Sequence, residues 1–145
     1  MIIAFEGIDG SGKSTAVDAT ADWLRQRGYE VAVMRWTSFL GDGGDQTTPF
    51  ELAHKLKSGR EMGPLSFALW HCADFAHRWE TVARPALEQN TIVLSDRYKY
   101  SGLVRSVARG VDETFLRHIY KFAPDADCVL YLDVDAETAS RYKTQ

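Results

Sequence analysis

The sequence predicts an α/β fold with a parallel sheet, and two observations predict it. Short β-rich apolar runs alternate with helical stretches along the chain, the pattern of βαβ units joined by right-handed crossovers. A Gly-rich loop follows the first of these runs and opens the first helix, at the sheet edge where parallel folds gather their ligands. The length agrees. A chain of 145 residues, 45% of them hydrophobic, suits one domain over residues 1–145 that buries a core without disulfides or a structural metal.

Met1-Ile2-Ile3-Ala4-Phe5 is an apolar run ending at Gly7, as a strand covered on both faces requires. Lys13 to Arg27 reads as a helix, with Val17 and Leu24 inward and Gly28 as its stop. Tyr29 to Met34 is a second strand. The stretch from Gly41 to Gly44 is too polar and flexible for a regular element, and Phe50 to Lys57 reads as a short helix. Pro64 starts a long helix to about Leu87, with a kink or break expected at Pro85. Thr91-Ile92-Val93-Leu94-Ser95 is a buried strand ending at Asp96. Tyr98 to Arg109 and Asp112 to Phe122 form two more helices, punctuated by Gly110 and Pro124. Cys128 to Leu132 is the fourth strand, and a helix begins again after Val134. Its pattern, Ala136 to Gln145, meets no cap or further strand, so the domain is expected to be C-terminally incomplete.

Charge and composition exclude several classes. The 17 Lys and Arg stand against 20 Asp and Glu, a net charge of −3, so neither nucleic acid nor a membrane is an expected partner. A local phosphate site remains open. No apolar stretch approaches the roughly 20 residues that span a bilayer, and the opening run is too short for a signal segment. A soluble, cytoplasmic chain is expected. Cys72 and Cys128 lack Cys-x-x-Cys spacing and are expected as two buried thiols in a reducing compartment. His54 and His118 have no partner at metal-ligand spacing, and Trp23, Trp36, Trp70 and Trp79 are expected in packing.

Gly7-Ile8-Asp9-Gly10-Ser11-Gly12-Lys13-Ser14 matches G-x-x-x-x-G-K-[ST] in full. Glycines let successive backbone N–H groups turn inward around phosphate oxygens, and the next helix adds its positive end. In that motif Lys13, expected in a solvated loop, reaches the β- and γ-phosphates, while the Ser14 hydroxyl ligates Mg²⁺. The motif implies a nucleoside triphosphate but not what is done with it. Asp96 ends the third strand near the same phosphates and suits a magnesium partner. Arg97 follows it, where a guanidinium could clamp a second phosphate or simply pair with Asp96. Arg35, ending the second strand, adds another cation to this edge. Two arginines beside a triphosphate site point to an acceptor that is itself phosphorylated.

Phe5-Glu6-Gly7-Ile8-Asp9-Gly10-Ser11-Gly12-Lys13-Ser14-Thr15, with Asp96-Arg97-Tyr98 and Ser101 downstream, resembles the thymidylate kinase family. The resemblance runs in order along nearly the whole chain, through Arg35 and Leu132-Asp133-Val134. It implies a three-layer α/β/α P-loop kinase fold and phosphoryl transfer from Mg-ATP to dTMP, giving dTDP. On that resemblance Lys13, Asp96 and Arg97 are catalytic, and Gly7, Gly10, Ser11, Gly12, Lys13, Ser14 and Thr15 bind ATP. Asp9 would hold the acceptor's 3′-hydroxyl, Arg97 and Arg35 its phosphate, with Ser101 nearby, and Ser14 and Asp96 would serve Mg²⁺. A homodimer is also implied.

Gly10 stands where one branch of the family places an arginine, so the chain resembles the branch that brings its arginine from a lid. That lid would lie beyond Gln145, and the 145-residue chain is expected to bind nucleotide but transfer phosphate poorly. The base-reading helix admits two registers. One puts His71 and Phe75 at the stacking and reading places, and the other puts Asp74 and Arg78 there. His71, Phe75 and Arg78 share one helical stripe at i, i+4, i+7 and could contact a base. Equally, His71 and Phe75 could be core and Arg78 could pair with Asp74. Val104-Arg105-Ser106 departs from the family's Ala-Tyr-Gln. Two alternatives therefore stand beside a dTMP kinase: a related kinase for another phosphorylated acceptor, and a nucleotide-binding module without turnover.

Overall fold

Four parallel strands in the order β2-β3-β1-β4 carry the fold of the computed structural model, which describes residues 1–36 and 62–143. They are β1 (Ile2–Gly7), β2 (Val31–Arg35), β3 (Ile92–Asp96) and β4 (Cys128–Leu132). The central strands β1 and β3 are almost wholly buried, which is why their sequences are nearly uninterrupted apolar runs. Phe5 and Arg35 both stand in register with Asp96, and Gly7 stands with Leu132. The C-terminal ends of all four strands therefore reach one edge of the sheet, where ligands of parallel folds bind.

Helix α1 (Lys13–Arg25) places Val17, Ala21 and Leu24 against the sheet, where they meet Phe5 and Leu94. Their i, i+4, i+7 spacing gives one apolar stripe. The helix ends two residues earlier than its sequence predicts, because Tyr29 N–H bonds back to Leu24 O at 3.2 Å and draws the following turn tight. For the same reason β2 begins at Val31 instead of Tyr29.

The long helix expected from Pro64 to about Leu87 is three segments: α2 (Pro64–Arg78), a π-helical turn (Trp79–Ala83) and α3 (Arg84–Glu88). Pro85 lies in the first turn of α3 and has no N–H to give. The irregularity precedes it: Arg84 N–H bonds to Trp79 O, five residues back, and the wider turn buries Trp79 and Ala83. Helices α4 (Lys99–Val107) and α5 (Glu113–Ile119) are shorter than expected. Asp112 caps α5 from outside by accepting Phe115 N–H at 2.7 Å. Helix α6 (Ala136–Lys143) is capped by Asp135, which accepts both the N–H and the hydroxyl of Thr138 at 2.8 Å. Those two bonds hold the Asp135 carboxyl below its ordinary pKa. The stretch from Gly41 to Gly44, the helix expected at Phe50 to Lys57 and His54 lie outside the described residues.

Among the described residues the chain forms two compact units. One comprises residues 1–36, 78–98 and 125–143, and the other residues 62–77 and 99–124. The sheet belongs to the first. In the second, Phe75 packs on Tyr120 and Phe122 with ring centroids 5.8 and 5.9 Å away, and Arg109 lies 3.7 Å from the centre of the Phe67 ring. Lys99 is buried there and donates to Ala123 O at 2.9 Å.

Two packing expectations are corrected. Cys72 is half-buried, but Cys128 is exposed on the edge strand β4. Trp23 is 51% exposed on the outer face of α1, its ring covered by the Arg27 guanidinium at 3.8 Å, so it contributes no core. Among the described residues no helix is long and apolar enough to cross a membrane.

Candidate active site

The first unit assembles a site from the loop after β1 and the ends of β2 and β3. Gly12 caps α1 in the left-handed region at φ +85°, a conformation that favours glycine and leaves the first turn of the helix open toward the loop. Gly10 has φ +87°, and a Cβ there would stand 2.2 Å from Ala139 O of α6. The backbone of α6 lies against the loop at this glycine. That leaves no room for the arginine that another branch of the resembling family carries.

Lys13 is buried, not solvated as its loop sequence suggests. Its Nζ donates to Ile8 O at 2.6 Å and to Ser11 Oγ at 3.2 Å, so the side chain folds back along the loop it follows. Burial, and then the nearby charge of Arg97, push its pKa below the ordinary lysine value. Asp96, Asp9 and Glu6 pull the other way without reversing the shift. Thr15 follows on the exposed side of α1.

Ser14 Oγ donates to Asp96 Oδ2 at 2.5 Å, joining the start of α1 to the end of β3. On the other side of Asp96, Arg35 Nη1 lies 4.0 Å from the same carboxylate oxygen. Arg35 also ion-pairs with Asp18 on α1, a contact that no local spacing signals. Arg78 is buried, donates to Arg35 O and stands over the Trp36 ring at 5.1 Å. Arg97, 8% exposed, pairs with Asp9 in the loop. Asp9, Lys13, Ser14, Arg35, Arg78, Asp96 and Arg97 are thus gathered in one unit around the loop.

Phe75 and Ser101 belong to the other unit. Phe75 is fully enclosed by its aromatic neighbours, and Ser101 is buried on α4. His71 is also enclosed, 4.2 Å from the Phe67 ring and 4.7 Å from that of Trp70.

Among the described residues no group of three or more His, Cys, Asp or Glu side chains is placed to hold a metal. The Ser14 hydroxyl and the Asp96 carboxylate are hard oxygen donors, however. They fit a magnesium ion, which takes few protein ligands and completes its shell with water and phosphate oxygens.

Glu6 and Ser95, to which no motif assigns a role, are buried near the C-terminal ends of β1 and β3. A carboxylate closing an otherwise apolar buried strand was the available signal, since such a group needs a partner inside the fold.

The family model for thymidylate kinase matches residues 5–144. The chain is 32% identical over 139 residues to the probable thymidylate kinase 2 of Saccharolobus solfataricus, covering 96% of this chain and 62% of that one. It is 34% identical over 156 residues to the probable thymidylate kinase of Thermococcus kodakarensis, covering 100% and 72%. It is 37% identical over 142 residues to the thymidylate kinase of Nitratidesulfovibrio vulgaris, covering 94% and 61%. The crystal structure of thymidylate kinase from Ehrlichia chaffeensis superposes with a TM-score of 0.76 at 26% identity, covering 99% of this chain and 80% of that one. The chain spans 61 to 72% of the length of the three curated relatives.

Proposed function

Because the chain belongs to the thymidylate kinase family, we propose that it transfers the γ-phosphoryl group of ATP to dTMP, giving dTDP and ADP. One observation carries the reading: the phosphate loop, the Ser14–Asp96 pair and two arginines converge at the C-terminal edge of one parallel sheet. A triphosphate site alone would need the loop and the Ser14–Asp96 pair, but not the two arginines. The cations beyond it suit a second, phosphorylated substrate.

On this reading the loop N–H groups and Lys13 hold the ATP phosphates, with Gly7, Gly10, Ser11, Gly12 and Thr15 shaping that cradle. Ser14 and Asp96 would hold magnesium, which when bound neutralises charge on the transferring phosphates. Arg97 and Arg35 would grip the acceptor phosphate, and Asp9, which pairs with Arg97, would accept a hydrogen bond from the acceptor's 3′-hydroxyl. Arg78 is braced by the Arg35 carbonyl and contributes to the acceptor side. In-line alignment of the two bound nucleotides and neutralisation of their phosphate charge, without a covalent enzyme intermediate, are then the catalytic work. The partners are small-molecule nucleotides in a cytoplasmic setting, and the family resemblance adds a homodimer.

A coupled assay of ADP release with a panel of nucleoside monophosphates tests the reading. ADP production that depends on dTMP, exceeding that with dCMP, dAMP or dGMP, is the expected result. ADP release indifferent to every monophosphate would overturn it.

A further inference from the structure

Glu6 is the only charged residue of β1 and is 8% exposed. Its Oε1 accepts the backbone N–H of Tyr98 at 2.9 Å. Between Asp96 and Tyr98 stands Arg97, whose φ of +66° lies in the left-handed region that a side chain with a Cβ rarely adopts. Such a conformation persists only where the surroundings over-determine it.

Here they do. Arg97 N–H donates to Phe5 O at 3.0 Å, which fixes the peptide group before its Cα. The peptide group after it is held at both ends. Ser95 Oγ donates to Arg97 O at 2.7 Å, and Glu6 accepts the Tyr98 N–H. With both peptide planes pinned, φ and ψ have no freedom left, and the guanidinium is directed at Asp9 in the phosphate loop. Without the bond to Glu6 the second plane could rotate, and Arg97 would relax toward the ordinary helical or extended regions, moving its guanidinium with it.

We propose that Glu6, supported by Ser95, is a positioning residue that sets the Arg97 guanidinium for the acceptor phosphate. The inference rests on the reading of Arg97 given under the proposed function. Glu6 acts through an accepted hydrogen bond, so a neutral amide at the same place should serve.

Titration calorimetry on the full 145-residue chain with dTMP, with thymidine and with Mg-ATP tests this, alongside thermal melts. Glu6→Ala should lose about tenfold in dTMP affinity, the scale of one disrupted hydrogen bond. Thymidine and Mg-ATP affinities should stay within about twofold, because neither ligand offers Arg97 an acceptor phosphate. Glu6→Gln should restore dTMP binding, and Ser95→Ala should reproduce the selective loss. A merely structural Glu6 would weaken all three ligands alike, and that result overturns the proposal. So does unchanged dTMP binding in Glu6→Ala where Arg97→Ala loses it, since the reading of Arg97 then stands without Glu6. If Arg97→Ala itself keeps the preference for dTMP over thymidine, the assignment beneath the proposal fails, and the proposal with it. Should Glu6→Ala not fold, Ser95→Ala decides: the same selective loss supports the proposal, and an unchanged dTMP-to-thymidine ratio overturns it.

Discussion

The Ser14 hydroxyl donates to the Asp96 carboxylate across 82 residues of sequence, at 2.5 Å. The bond closes the gap between the start of α1 and the end of β3, so two oxygen donors suited to a magnesium ion face each other. When magnesium binds, these two oxygens would serve it and their mutual hydrogen bond would open. Asp96→Ala should therefore abolish most of the gain in ATP affinity that Mg²⁺ brings, and leave metal-free ATP binding nearly unchanged. Calorimetric titration of ATP with and without Mg²⁺ measures the gain directly. An equal gain in wild type and variant would show that Asp96 takes no part in holding the ion.

Lys13 makes a second, opposite-signed pair of effects. Burial pushes its pKa down, so the ammonium is worse off folded than unfolded. Between the folded pKa and 10.5 the unfolded chain keeps a proton that the folded chain has released, so stability rises with pH across that window. Below the folded pKa the full penalty applies. Lys13→Met should then melt no lower than wild type at pH 7 and show a smaller rise toward pH 10. Its ATP affinity should fall by about a hundredfold, as expected for truncating a charge-assisted contact to phosphate. Melts at several pH values and titration with ATP check both halves. A large drop in melting temperature would mean that the bonds to Ile8 O and Ser11 Oγ outweigh the burial of charge.

How much of this was legible depended on whether the deciding contact was local. The strands β3 and β4 were readable to within a residue, because polar residues bound their apolar runs. The phosphate loop was readable because its chemistry needs fixed types at fixed spacing. The spacing of His71, Phe75 and Arg78 says that they share a face but not what that face meets. In the fold His71 and Phe75 are enclosed by aromatic rings, and Arg78 is turned to the Arg35 carbonyl. Pro85 signalled an irregular helix, yet the irregularity lies upstream of it, in the π-helical turn that buries Trp79 and Ala83, and burial is not contained in a short window. The burial of Lys13 and the partner of Glu6 are long-range outcomes of the same kind.

The contact between Gly10 and α6 separates two kinds of glycine. Gly10 and Gly28 have nearly equal positive φ, +87° and +83°, but a Cβ at Gly10 meets Ala139 O at 2.2 Å while one at Gly28 meets open space. Gly28→Ala should cost only the backbone strain, about 1 kcal/mol. Gly10→Ala must also displace the backbone of α6, adding about 1–3 kcal/mol. Urea denaturation of the two variants gives the difference. Equal losses would show that α6 gives way freely and does not restrict the loop.

The two thiols should differ sharply in reactivity, and the slower one should report on the second unit. Cys72 lies on α2 with its Sγ 3.6 Å from Ile119 O at the end of α5, and burial pushes its pKa up to about 11. At pH 8 its thiolate fraction is then on the order of one in a thousand. Cys128 is exposed on β4. Ellman's reagent at pH 8 should therefore release one equivalent quickly and a second only slowly. Cys128→Ser should remove the fast phase and Cys72→Ala the slow one. Parting of α2 and α5 would free the Cys72 thiol from its contact with Ile119 O, so its rate should rise steeply with urea below the main unfolding transition or at it. Where it rises fixes whether the second unit opens by itself or only with the sheet. Two equivalents released at one rate in native buffer would show that Cys72 is as accessible as Cys128, and that the α2–α5 contact does not protect it.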